Sequence, residues 1–139
     1  MHTSRKLILI IFATAAVGTG CAHKKPPPSQ PSPQPATAQQ VQAIREAYNR
    51  AYPDSRVGVV IATRKQDRLV AVGQVRPADF REGQTVTFID AQQRVLTTGT
   101  VVRVLADSVH VAYDRPVHSG REPGVGDMMV ALPFGASTL

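Results

Sequence analysis

The sequence predicts a mainly β fold: a small six-stranded β-barrel, closed or partly open, with one α-helix on its N-terminal side. Beyond residue 54, short runs rich in Val and Thr alternate with polar turns, which is typical of strands. Two stretches with a similar pattern lie about 42 residues apart. A helical apolar period precedes the first strand. The β domain is expected over 54–134, followed by a short tail at 135–139.

The helix is predicted over residues 37–52. Thr37 can cap it, and Gln40 follows at the spacing of a capping box. Pro53 ends the pattern. The apolar residues recur every three to four positions, at Val41, Ile44, Tyr48 and Ala51. We expect this stripe to pack against the β domain, and docking of a partner on it is the alternative.

Six runs are predicted as strands because each is short, β-branched and bounded by polar turn residues. They span 56–63, 69–72, 85–89, 95–105, 109–113 and 128–132. They divide into two similar units, each with a hairpin, a proline-containing crossover and a third strand. That strand is entered through Gly83-Gln84 in one unit and Gly126-Asp127 in the other, where glycine suits a positive φ.

A duplicated unit would explain this pattern, although one sequence leaves coincidence open. Each unit alone exposes unpaired strand edges, and two units can cover those edges by closing into a barrel. A two-sheet sandwich is the alternative architecture. The order of hairpin, crossover and Gly-Asp strand, as at Val125-Gly126-Asp127, resembles the C-terminal domain of flagellar assembly protein T. No functional residue is carried over from that resemblance.

The net charge of +6 is unevenly distributed. From Asp54 onward, ten Arg and Lys residues face nine Asp and Glu residues. The excess therefore lies in the N-terminal segments, and the domain lacks the clustered positive charge that nucleic-acid capture requires. Cys21 is the single cysteine, which excludes an intrachain disulfide and a multi-cysteine metal site.

Residues 1–20 have the pattern of a signal peptide. Arg5 and Lys6 precede the apolar run 7–17, which is shorter than the roughly 20 residues of a membrane span. The run Val17-Gly18-Thr19-Gly20-Cys21 then resembles a bacterial lipobox, with Gly18 where that pattern usually has Leu. The resemblance implies cleavage before Cys21, lipidation of that cysteine, and membrane attachment. An uncleaved N-terminal anchor is the alternative.

Residues 21–36 are expected to form the lipidated start of the mature chain and a proline-rich tether. Six prolines and the lack of large apolar residues predict an extended spacer reaching about 45 Å. A ligand for a proline-recognition module is the alternative. Ala22 follows the cysteine, and by the same resemblance this favours the outer membrane, facing the periplasm.

No catalytic constellation can be assembled from the sequence, and no cofactor is expected. Asp79 and Glu82 are interpreted as solvating the turn between Pro77 and Gly83. A surface metal site of His110, Asp114 and His118 lacks a compact ligand motif, so unliganded histidines are favoured. Arg103, Arg115 and Arg121 could form a basic rim for an anionic ligand, but the acidic residues between them favour an ordinary solvated face.

These observations lead us to expect a non-enzymatic lipoprotein of the cell envelope. It would be held on the membrane by lipid on Cys21, and its β domain would contact an envelope protein or peptidoglycan. A periplasmic module that binds a small ligand or a metal is the alternative.

Overall fold

Six antiparallel strands close into a barrel in the computed structural model, which describes residues 34–116 and 121–133. The helix α1 spans Ala38–Ala51. The strands are β1 Arg56–Arg64, β2 Leu69–Gly73, β3 Thr85–Ile89, β4 Val95–Val104, β5 Val109–Tyr113 and β6 Met128–Ala131. Their order around the barrel is β1-β2-β5-β4-β3-β6. The predicted fold class is confirmed, with the barrel closed, and the sandwich alternative is wrong.

Side chains from all six strands, and from the loop before β3, fill the barrel interior. On β5 the burial alternates: Val109 and Val111 are fully buried, while His110 between them is half-buried. The interior cluster also contains Val60, Val70, Val72, Phe80, Val86, Phe88, Leu96, Val101, Tyr113, Met129 and Ala131. About eight strands make a barrel just wide enough for side chains to fill it, so six strands enclose a packed core.

The helix α1 covers one outer face of the barrel. Thr37 caps it through the predicted capping box, in which Thr37 Oγ1 accepts from Gln40 N and Gln40 Oε1 accepts from Thr37 N. Val41 and Ile44 are buried against the barrel, as the apolar stripe predicted. Their cluster includes Val57, Val59, Ile89, Met128 and Val130. The outer face of β6 is therefore buried as well as its inner face.

The two predicted units form interlocked halves, a first half of β1, β2 and β3 and a second half of β4, β5 and β6. Exchanging β1 with β4, β2 with β5 and β3 with β6 leaves the order of neighbours unchanged. The third strand of each half pairs only with strands of the other half, since β3 lies between β4 and β6 and β6 lies between β1 and β3. The barrel therefore has a pseudo-twofold topology.

Reciprocal hydrogen bonds repeat this relation at the two glycine turns. Gly126 N donates to Val60 O at 2.9 Å and Val60 N donates to Asp127 O at 2.8 Å; Gly83 N donates to Val101 O at 2.8 Å and Val101 N donates to Gln84 O at 2.9 Å. Both glycines have positive φ, 84° at Gly83 and 90° at Gly126, as the sequence predicted. Gly126 also contacts Pro35, and a Cβ at Gly126 would overlap it.

The helix breaks the symmetry of the barrel. It packs on Val57 and Val59 of β1, whereas the equivalent outward positions on β4 hold Thr98 and Thr100, which are half-buried and exposed. The sequence therefore determines which of the two equivalent faces receives the helix. Within the described ranges, α1 included, no helix combines the length and the apolar character that crossing a membrane would require.

Candidate functional site

A groove of about 380 Å³ lies between the C-terminal half of α1 and the end of the barrel where β1 begins and β2 ends. We call it the α1–barrel groove. It is lined by Arg45 and Asn49 of the helix, Pro53, Ser55, Arg56 and Val57 at the start of β1, and Gln74, Val75, Arg76 and Asp79 after β2. Three arginines and one carboxylate thus line the groove.

Arg45 connects the helix to the barrel at this groove. Its Nη2 donates to the backbone carbonyls of Val57, at 3.2 Å, and Gln74, at 3.3 Å. Gln74 has a left-handed backbone with φ 57° directly after β2. Because these two carbonyls belong to segments outside the helix, Arg45 fixes the position of α1 relative to both of them.

Asp79 organises the other two arginines. Its Oδ2 accepts from Arg56 Nε at 2.9 Å and from Arg76 Nε at 3.2 Å. Pro77 begins the short 3₁₀ turn Pro77–Asp79 that places this carboxylate. Burial alone would raise the pKa of Asp79, but the hydrogen bonds and charges of Arg56 and Arg76 outweigh it and hold the pKa below its ordinary value. Asp79 therefore pairs with two arginines in addition to belonging to the predicted turn.

A second groove of about 230 Å³ shares Arg56 and Asp79 with the first. Its other lining residues are Asp54, Arg81, Gln84, Ala131, Leu132 and Pro133. Arg56 also donates from Nη1 to the backbone carbonyl of Ser55 at 3.0 Å. Arginine presents several donors in a rigid plane and suits carboxylates and phosphates. This end of the barrel therefore has the chemistry of an anion-binding surface.

The structure does not bring together all the arginines of the predicted rim. Arg103 of β4 lies opposite His110 of β5. Arg115 is five residues beyond His110, about 17 Å further in extended backbone. Arg121 donates to both carboxylate oxygens of Asp127, each at 2.8 Å. Its guanidinium thus anchors the turn before β6.

The histidine cluster considered from the sequence is described only in part. The side chain of His110 is on the other face of β5 from the buried Val109 and Val111, as predicted. Asp114 is four residues further along the chain, about 13 Å in extended backbone, and accepts from Thr98 Oγ1 at 2.6 Å. His118 and Cys21 lie outside the described residues. Across 34–116 and 121–133, no three His, Cys, Asp or Glu side chains group as metal ligands.

The opposite end of the barrel holds two buried carboxylates that stabilise turns. Asp90 accepts from the backbone N of Gln92 and of Arg94, both at 2.9 Å, and from Arg94 Nε at 2.7 Å. Burial opposes ionisation of Asp90, yet these hydrogen bonds and the Arg94 charge keep its pKa below the ordinary value. Asp127 accepts from Gly124 N at 2.7 Å in the turn before β6.

Tyr113 places its hydroxyl in the interior near the same end. The hydroxyl is buried and lies beside Glu122. Burial raises the pKa of Tyr113, and the nearby negative charge of Glu122 raises it further. The phenol therefore stays neutral at physiological pH and belongs to the core.

No protein-family model matches the chain, and no curated protein matches it.

The α1–barrel groove was not predicted from the sequence. Arg45, Arg56 and Arg76 are spread over 32 positions of the chain and form no local motif. Only the pairing of β1 with β2 and the docking of α1 bring them to one place.

Proposed function

We propose that this protein is a bacterial envelope lipoprotein whose β-barrel acts by binding, through structural contacts with another envelope protein or with the cell wall. Acyl chains on Cys21 would attach it to the outer membrane, facing the periplasm. The lipobox-like run from Val17 to Cys21 supports the anchor, and Ala22 supports the destination. The proline-rich residues that follow supply a spacer between lipid and domain.

The observation that carries the binding role is the packed interior of the barrel. Phe88, Leu96 and Met129 are fully buried inside it, and they occupy the space that a larger barrel offers to a ligand. Contacts with other molecules are therefore expected on the outer surface. On that surface, three arginines line the α1–barrel groove. The apolar stripe of α1 already packs against the barrel, so it is not free for another partner.

Replacing Cys21 with Ser tests the anchor. We expect the wild-type protein to incorporate labelled palmitate, to fractionate with membranes, and to have the intact mass of residues 21–139 plus about two or three acyl chains. Cys21→Ser is expected to lose the label and the acylated mass, because serine offers no thiol for the lipid. Membrane fractionation, labelling and mass spectrometry measure these outcomes.

Ala22→Ser is the matched control, since it changes the neighbouring residue and leaves the thiol in place. It should keep the label and the acylated form, with a mass increased only by the one added oxygen. Palmitate incorporation in Cys21→Ser, or an unmodified wild-type mass covering residues 1–139, would contradict the proposed anchor. The mass measurement matters because an unprocessed precursor could remain in the membrane through its apolar N-terminal run.

A further inference from the structure

We propose that the α1–barrel groove binds a free carboxylate at the end of a short peptide, and that Arg76 captures it. This inference rests on the proposed function, because it names the chemistry of the cell-wall contact: stem peptides of peptidoglycan carry free carboxylates. The argument uses the donors left in the groove, the geometry of its own carboxylate, and the groups beside it.

The donors left in the groove come mainly from Arg76. Its Nε donates to Asp79, while its two Nη atoms have no hydrogen-bond partner among residues 34–116 and 121–133. Its side chain is 80% exposed, against 36% for Arg56. The planar guanidinium can therefore present an edge with two donors to an incoming carboxylate, the bidentate arrangement that arginine forms with such groups.

The charge of the groove favours an anion. Arg45, Arg56 and Arg76 line it together with the single carboxylate of Asp79. Arg45 is held by two backbone carbonyls, which are neutral and leave its charge uncompensated. Asp79 neutralises only part of the positive charge of the other two arginines. A second carboxylate beside Arg76 would reduce the positive charge that Asp79 leaves uncompensated.

The surrounding groups favour a peptide over a bare anion. Asn49 Oδ1 accepts from Ser55 Oγ at 3.2 Å, which leaves the Asn49 amide N–H groups to donate to a peptide carbonyl. Gln74 adds a second amide side chain, and Val75 adds an apolar contact. The volume of about 380 Å³ lies at the lower end of small-ligand sites, about 300–1,000 Å³. It therefore suits the end of a peptide.

Calorimetric titration of the full-length processed protein in detergent micelles tests this proposal. The probes are the peptidoglycan stem tetrapeptide with free carboxylates, the same peptide with its carboxylates amidated, and inorganic phosphate. We expect the free acid to bind, the amidated peptide to bind at least about tenfold more weakly, and phosphate to bind more weakly than the free acid.

Arg76→Ala is expected to weaken binding of the free acid by about tenfold or more, since it removes the bidentate donor. Arg64→Ala is the matched control. Arg64 is also exposed, at 71%, and also pairs with an Asp three residues later, Asp67, but it lies at the other end of β1. This control should retain the wild-type affinity, and both variants should retain the wild-type melting temperature.

The proposal is overturned if the free acid does not bind, if the amidated peptide or phosphate binds equally well, or if both arginine variants lose affinity alike. Failure of this proposal is distinguishable from failure of the anchor. Peptide binding in micelles does not require the lipid, so Cys21→Ser should bind the tetrapeptide normally. Loss of attachment in that variant with unchanged affinity would separate the two properties.

Discussion

Asp90 illustrates how single carboxylates hold this barrel together. Its side chain is only 4% exposed, yet it stays charged because two backbone N–H groups and the Arg94 guanidinium donate to it. Hydrogen bonds to a charged group contribute more than neutral ones, about 1.5–3 kcal/mol each. The β3–β4 turn therefore depends on ionisation of one residue.

We expect Asp90→Asn to lower the free energy of unfolding at pH 7 by about 1–3 kcal/mol. The pKa of Asp90 is lower in the folded chain than its ordinary value. Its stabilising contribution is therefore fully present above the ordinary Asp pKa of about 3.9 and is lost as the pH falls through the folded pKa. Urea unfolding from pH 7 to pH 2 measures the difference, which should shrink below about pH 4.

Asp67→Asn provides the comparison for this titration, because Asp67 is 59% exposed and pairs with Arg64 at 3.5 Å. An exposed pair of this kind contributes about 0–1 kcal/mol. A wild-type minus Asp90→Asn difference that stayed constant down to pH 2 would show that the charge of Asp90 has no part in stability.

At the scale of elements, α1 is held by an arginine as well as by its apolar stripe. Val41 and Ile44 provide the buried contact, and Arg45 adds hydrogen bonds to carbonyls on two barrel segments. Removing those bonds leaves the partly buried carbonyl of Val57 without its donor. Arg45 thus couples the stability of the helix contact to the shape of the α1–barrel groove.

We expect Arg45→Met to reduce the free energy of unfolding by about 1–2 kcal/mol, since methionine keeps the apolar length but donates no hydrogen bond. Arg50→Met, an exposed position on the same helix, should change stability by less than about 0.5 kcal/mol. Denaturant unfolding followed by circular dichroism measures both. Equal losses in the two variants would argue against a special role for Arg45.

Local patterns predicted the extent of the elements and some of their buried faces, but not every face that is buried. The alternation of Val109, His110 and Val111 gave the inward face of β5 correctly. On β6 the run Met128-Met129-Val130-Ala131 has no alternation, because α1 buries its outer side. The arginines of the groove could not be grouped beforehand, since their proximity depends on how distant segments dock.

At the scale of the whole molecule, neither half of the barrel contains hydrogen-bonding partners for all of its own strands. The sequence indicated two similar units and barrel closure, and both are present. It did not show that β3 and β6 would be exchanged between the halves, because the order of strands depends on pairing across the whole chain. A lone hairpin is only marginally stable in water, so folding requires both halves.

We expect fragments 34–92 and 93–139, prepared separately, to lack a cooperative β transition as monomers and to gain one when mixed. In each monomer the third strand has no pairing partner. Circular dichroism and size-exclusion chromatography measure structure and association. The folded domain cut in the same β3–β4 turn should keep its signal, and a monomeric fragment that unfolds cooperatively would contradict the interlocked arrangement.

The contact of the incoming chain with the Gly126 turn has a mechanical consequence. Ala36 N donates to Gly126 O at 3.3 Å, at the start of a helix of 14 residues, whose length is about 20 Å. If the chain is tethered through lipid as proposed, tension applied at Ala36 would load this hydrogen bond. The α1–barrel groove lies beside the later turns of α1. Such tension could therefore separate Ala36 from Gly126 without changing the groove.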